Sequence, residues 1–209
     1  MATEVKKRTY VSPGRQAKAD ATRARIIAAA TASFLEMGYR RSSVTAIARG
    51  AKTSEASVFA VFGSKAELLV AVVRDHVIRD RDLPLAGQPG WPGFAASPHK
   101  APAIEAFARV VRRAHDRSWR LLAVALAAAQ DDPAVAEAMG RAAEGRLADC
   151  AWFVRTVIGV GDQDRADRTI DEVWTLISVE NYRHLVVERR WPPERYESWL
   201  SAMLAATLR

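Results

Sequence analysis

A chain of 209 residues with 49% hydrophobic residues and a formal charge of +7 is long enough for one large domain or two small ones, and apolar enough to bury a core. Its single cysteine, Cys150, excludes an intrachain disulfide and a cysteine-based metal site, and its longest apolar run, Leu121 to Ala129, is too short to span a bilayer. The first eighteen residues are polar and basic and hold no apolar stretch that could serve as a signal sequence, so the expected compartment is the cytoplasm.

In chain order, residues 1–19 read as a flexible basic arm with Lys6, Lys7, Arg8, Arg15 and Lys18. A first helix is predicted from Asp20 to Met37, with Ile27, Ala30, Phe34 and Met37 inward and Gly38 at its C-terminal end. Val44, Ile47, Ala48 and Ala51 then form an apolar stripe behind Ser43, an N-cap candidate. Lys52 and Thr53 interrupt the pattern. A second short helix starts at Thr53 or Ser54, buries Val58 and Phe62, and keeps Glu55, Ala56, Ser57 and Ala60 on its outer side. Small outer residues let such a helix sink into a DNA major groove. Ser64-Lys65-Ala66-Glu67 is a capping box, placing Lys65 at the positive end of the next helix, an end suited to a phosphate.

The helix from Ser64 carries Leu69, Val72, Val73, His76 and Val77 on one face and fades near Arg81. Between Leu83 and Pro102 the density of Pro and Gly predicts a loop with no regular element, and Trp91 within it is a candidate cover for a pocket entrance. Two stripes follow: Ile104, Phe107, Ala108 and Val111, then Trp119, Leu122 and Leu126. Pro133 suits the first turn of a helix after Asp131 or Asp132; it would align Leu147, Cys150, Ala151, Val154 and Ile158 and end at Gly159 and Gly161. One helix is expected from about Arg165 to Arg190, stopped by Pro192 and Pro193, and a last one aligns Tyr196, Trp199, Leu200, Met203 and Leu204. Helical spacing without apolar alternation predicts an all-α fold. Three domains are expected: the arm at 1–19, a helix-turn-helix at 20–65, and a larger C-terminal helical unit at 66–209 that contains the loop at 83–102.

Charge supports a nucleic-acid role independently. Residues 1–65 hold twelve Lys and Arg against four Asp and Glu, a net of +8, whereas the remainder holds nineteen against twenty, a net of −1. A basic helix-turn-helix favours double-stranded DNA over a membrane surface or an acidic protein.

The run Arg25-Ile26-Ile27-Ala28-Ala29-Ala30, with Phe34, Gly38-Tyr39, Ser43-Val44, Ile47-Ala48, Ala51, Ser54, Phe62 and Ser64-Lys65-Ala66-Glu67-Leu68-Leu69, resembles the TetR family of transcriptional regulators. The resemblance covers about Arg23 to Val73, and Trp191 to Leu204 shows a weaker likeness to the end of family members. It implies a homodimer whose N-terminal helix-turn-helices bind an operator and whose C-terminal helices form the dimer interface and enclose an effector pocket. It further implies that Ser43 and Lys65 touch phosphates, that Thr45 lies near the backbone, and that Ser54 to Ala60 face the groove. Four positions depart from the family pattern. Lys52 and Ala56 stand where glycine is common, Phe59 where a tyrosine usually contacts phosphate, and Val61 where histidine or tyrosine is common. Arg25, Arg40, Arg41, Lys52 and the basic arm are the expected substitutes as phosphate or minor-groove contacts. Glu55 and Ser57 are the candidates for base reading, because a carboxylate can accept from cytosine N4.

The expected function is that of a DNA-binding transcriptional regulator, a repressor released from a palindromic operator by a small apolar or aromatic effector. Two half-sites about 34 to 36 Å apart suit a homodimer paired through the last two helices. The alternatives are an effector-independent or architectural DNA binder, or an all-helical enzyme, for which no nucleophile and base pair or phosphate loop is visible. Candidate pocket residues are Phe107, Trp119, Met139, Trp152 and Trp174, each with plain core packing as its alternative. Glu180, His184 and Glu188 share a helix face, but no second ligand helix accompanies them, so neither a metal nor another cofactor is expected. His76 and Cys150 read as core or pocket-edge residues.

Overall fold

The apolar spacing along the chain becomes helix after helix in a computed structural model, which describes residues 13–77 and 91–208. Among the described residues there are ten α-helices and no strand. Helix α1 (Pro13–Arg41) starts inside the stretch expected to be a flexible arm. It buries Ile26, Ile27, Ala30 and Phe34 and breaks at Gly38, whose φ of 72° and ψ of 170° lie outside the helical region. Met37, expected inward, is 44% exposed. After the break the inward place goes to Tyr39, whose ring lies 6.0 Å from that of Phe34.

Helices α2 (Val44–Gly50), α3 (Glu55–Phe62) and α4 (Lys65–Val77) complete the N-terminal unit. Their apolar faces, Ile47, Ala48, Val58, Phe62, Leu68, Leu69 and Val72, join those of α1 in a first core. Short α5 (Trp91–Ala96) lies where an irregular loop was expected. Pro92 does not oppose it, because a proline in the first helical turn gives up only an N–H that has no partner there. Residues 83–90 of the expected loop and the side chain of Trp91 lie outside the described residues, and the last two positions, 101 and 102, already belong to the next helix.

Helix α6 (Ala101–Ala129) runs through both halves of the molecule. Leu121, Ala125 and Ala128 near its C-terminus enter the first core. Ala103, Ile104, Phe107, Ala108 and Val111 near its N-terminus enter a second core, where the Phe107 ring stacks on Phe153 at 4.1 Å. Leu126, expected on the second stripe of this helix, is 39% exposed, because the neighbouring positions Leu121 and Ala125 face the core instead. Helix α7 (Pro133–Trp152) is capped by Asp132, whose Oδ1 accepts from the amides of Ala134 and Val135 at 3.0 and 3.3 Å. It continues as a π-helical segment, Phe153–Ile158, to Gly159, whose φ of 86° closes it. Cys150 and Val154 are buried as expected, while Leu147 is exposed on the solvent side.

The long helix expected over about 165–190 is two helices. Helix α8 (Gln163–Leu176) ends at Ile177, and Ser178 opens α9 (Val179–Tyr182), which runs on as a π-helical segment, Arg183–Glu188. The break is stabilised locally. Ser178 accepts from the amide of Asn181, and the Asn181 side-chain amide donates to the carbonyls of Thr175 and Leu176 at 2.9 and 3.2 Å, the first of which also accepts from the Ser178 amide. Helix α10 (Pro193–Thr207) buries Tyr196, Leu200 and Leu204 in the second core. No single helix among the described residues is long and apolar enough to cross a membrane. The bent pair α3 and α4 meets that test by length and composition only, and most of its large apolar side chains are in the first core.

Candidate nucleic-acid interface

The turn between α2 and α3 is built by hydrogen bonds that a C-terminal helix cap requires. The amide of Thr53 donates to the carbonyl of Ala48 at 3.0 Å and that of Lys52 to Arg49 at 3.1 Å, a Schellman arrangement that needs a left-handed residue at Lys52. Lys52 has a φ of 52°. The departure from glycine noted in the sequence therefore falls on a position where glycine is favoured, and a lysine there carries about 1 kcal/mol of strain. Its side chain is exposed.

Three hydroxyls cap the helices of the head. Ser43 Oγ accepts from Ala46 N, Ser54 Oγ from Ser57 N, and Ser64 Oγ from Glu67 N, each at 3.1 Å. The expected capping box at Ser64 is only half made. The Glu67 carboxylate is paired with Arg141 on α7 instead of reaching back to the Ser64 amide, which donates to Phe62.

With Val58 and Phe62 inward, the outer face of α3 presents Glu55, Ala56, Phe59, Ala60 and Val61 to solvent, while Ser57 is half-buried and bonded to Ser54. Phe59 and Val61, the two departures from the family pattern, are 44% and 41% exposed. Ser43, Thr45, Ser54, Arg40, Arg41 and Arg49 are exposed on the same unit. Of the expected cationic substitutes, Arg25 is partly committed to the fold. Its Nε donates to the carbonyl of Ala51 at 3.1 Å, which holds α1 against the turn. Lys6, Lys7 and Arg8 of the arm lie outside the described residues.

Lys65 sits at the start of α4 as its capping pattern requires, but it is half-buried and occupied. Its Nζ lies 4.2 Å from the centre of the Tyr39 ring and 3.5 Å from the carbonyl of Arg40. Burial lowers its pKa, opposed by the nearby charge of Asp132. Tyr39 in turn donates to Oδ2 of Asp132 at 3.1 Å, and Arg40 pairs with Asp131 at 3.6 Å. Burial and the Asp132 carboxylate push the Tyr39 phenol up to about 12. Two consecutive carboxylates of the α6–α7 turn thus grip the start of the interface, a contact that sequence reading missed. The Gly38-Tyr39 pair was visible, but its partner lies 93 positions away.

The five expected pocket residues are not brought together. Phe107 is plain second-core packing, Met139 borders the first core, and Trp152 borders the second. Trp174 lies under the guanidinium of Arg146, 4.2 Å from the ring centre. Trp119 alone of the five lines either of two shallow clefts, one of about 210 Å³ between α6 and α9.

A long helix followed by two short ones, these two joined by a tight turn and the last exposed, on an all-helical body, define a helix-turn-helix protein. Residues 26–72 match the family described as bacterial regulatory proteins, tetR family. Residues 26–72 are therefore a domain of the TetR family of bacterial regulatory proteins. The whole fold agrees. A TetR-family regulator from Mesorhizobium loti superposes with a TM-score of 0.69 at 21% identity, over 91% of this chain and 96% of that one. A regulator from Saccharomonospora viridis solved in complex with choline gives 0.60 at 19%, over 89% and 96%. NalD of Pseudomonas aeruginosa, the secondary repressor of the MexAB-OprM multidrug efflux pump, gives 0.60 at 18%, over 92% and 96%. No curated protein matches the chain in sequence.

Proposed function

We propose that the protein is a homodimeric, sequence-specific repressor in the cytoplasm that leaves a palindromic operator when a small apolar or aromatic effector binds. The observation that carries DNA reading is the exposed face of α3, with Ala56 and Ala60 small enough for close approach, on the unit that holds the chain's positive excess. In this reading Glu55 and Ser57 read bases, with Ser54, Ala56, Phe59 and Ala60 packed in the groove. Ser43, Thr45, Lys52, Lys65 and the free edge of Arg25 meet the backbone. Pairing through the last two helices is supported by Val187 and Met203, large apolar side chains 36% and 37% exposed there. Regulators of the same fold that bind choline or repress a pump support the effector and repressor roles.

Selection of bound sequences from a random DNA pool tests the reading directly. The expected result is a palindrome with half-sites about 34 to 36 Å apart and a dimer by light scattering. No enriched sequence, or a monomer bound to one half-site, overturns it. A Glu55→Ala variant should lose preference at one base pair; an unchanged preference removes Glu55 from the reading set. The dispersal of the five aromatic and methionine candidates favours a second reading, DNA binding without an effector. Screening small molecules for thermal stabilisation with parallel loss of operator binding separates the two.

A further inference from the structure

The outer face of α3 is made of residues that can recognise very few features of a base pair. Val58 and Phe62 turn inward, so at about 100° per residue the outward direction falls on the strip formed by Ala56 and Ala60. Phe59 and Val61 stand about 200° apart around the axis, one on each flank of that strip. Both are exposed and stand outside the first core. Glu55 lies one turn before Phe59, and Ser57 one turn before Val61.

The helix, Glu-Ala-Ser-Val-Phe-Ala-Val-Phe, holds no Lys, Arg, Asn or Gln, the side chains that bond guanine and adenine bidentately in the major groove. The Glu55 carboxylate only accepts, which suits the amino group of cytosine. Ser57 is half-buried, with its hydroxyl 2.9 Å from that of Ser54 in the cap of the helix. The rest of the face can make only apolar contact. In the major groove the apolar group on a base edge is the C5-methyl of thymine, which alanine and phenylalanine side chains are suited to cover. Charge decides that the occupant of this face is a nucleic acid. Residues 1–65 carry a net +8, and Arg40, Arg41, Arg49 and Lys52 are exposed on the same unit as the apolar strip.

We propose that Phe59 and Val61, with Ala56 and Ala60 between them, read thymine methyl groups, Phe59 toward one strand of the half-site and Val61 toward the other. The assignment rests on the DNA-reading proposal above and names the bases that α3 selects. Burial of one methyl corresponds to about a fourfold change in affinity. Such a contact neutralises no phosphate and releases no counterion, so it specifies sequence without adding to the salt dependence.

The experiment uses the operator selected from a random DNA pool, resynthesised with deoxyuridine in place of each thymine in turn. That exchange removes the C5-methyl and keeps every hydrogen-bonding group of the base. Fluorescence anisotropy with the intact protein should show about fourfold weaker binding at two or more positions of a half-site, and about sixteenfold when both halves of the palindrome carry the exchange. Phe59→Ala should make thymine and uracil equivalent at one of these positions and Val61→Ala at another. Each variant should leave the slope of log affinity against log salt at the parent value. Both side chains are exposed, and the exchange in the DNA tests the parent protein without any variant. A selected palindrome whose affinity is unmoved by deoxyuridine at every thymine overturns the methyl reading and leaves DNA reading standing. Discrimination that persists in both variants, or a salt slope that falls in them, overturns the roles of Phe59 and Val61. Selection that enriches no sequence overturns the DNA-reading proposal and this one with it.

Discussion

Lys52 shows how one residue can serve the interface at the expense of the fold. Its φ of 52° comes from the two hydrogen bonds that close α2, and a side chain with a Cβ is strained there. Lys52→Gly should therefore raise stability by about 1 kcal/mol in thermal or denaturant unfolding. The same change should weaken operator binding and lower the slope of log affinity against log salt by about one contact. If stability rises while the salt slope is unmoved, Lys52 carries no phosphate contact. Phe59 and Val61 carry no comparable backbone signature. Nothing in the fold around them explains why two large apolar side chains replace polar ones on an exposed face; thymine methyls in the groove do.

At the scale of elements, the apolar packing of α6 against the head is joined by a short polar link. Asp132 uses one carboxylate oxygen to cap α7 and the other to hold Tyr39, whose ring lies beneath the ammonium of Lys65. Tyr39→Phe keeps the ring and removes the bond to Asp132. It should lower the unfolding free energy by no more than about 3 kcal/mol, the upper end for a single hydrogen bond to a charged group. Operator affinity should change, since the platform under Lys65 is no longer anchored to the body. An unchanged affinity, with Lys65→Ala still weakening binding, removes Tyr39 from any positioning role. Most of the elements themselves were legible. Ser43, Ser54, Ser64 and Asp132 stand at helix starts because a side-chain oxygen before an apolar stripe satisfies amides that the helix leaves open. The division at Ile177 and Ser178 was missed because apolar periodicity continues across it, and the Ser178–Asn181 cap was hidden inside a plausible longer helix. The contacts of Tyr39 and Glu67 were illegible for a different reason. Both partners, Asp132 and Arg141, are brought close by packing of distant helices, and no local pattern encodes that.

At the scale of the whole molecule, the buried imidazole of His115 on α6 makes stability depend on mild acid. The folded-state pKa of His115 is lowered to about 4 from an ordinary 6.5, chiefly by burial. A histidine depressed in this way takes up its proton in the unfolded chain first. Its contribution is complete above about pH 6.5 and is lost as pH falls toward 4, by roughly 3 kcal/mol at the acid end. Denaturant titrations between pH 7 and pH 4 should show this limb, and His115→Gln should flatten it. A parent whose stability is constant over that range contradicts the neutral, buried ring.

Helix α6 gives the molecule one further property. Twenty-nine residues of unbroken α-helix make a beam about 43 Å long, with Phe107 set in the second core and Leu121, Ala125 and Ala128 in the first. Loss of either core strips the beam of half its lateral support, and a helix in water has little stability of its own. The two cores therefore melt as one cooperative unit despite their separation. Calorimetry should give a single heat-absorption peak whose van't Hoff and calorimetric enthalpies agree for the folding unit, with no stable fragment left at either end of the beam.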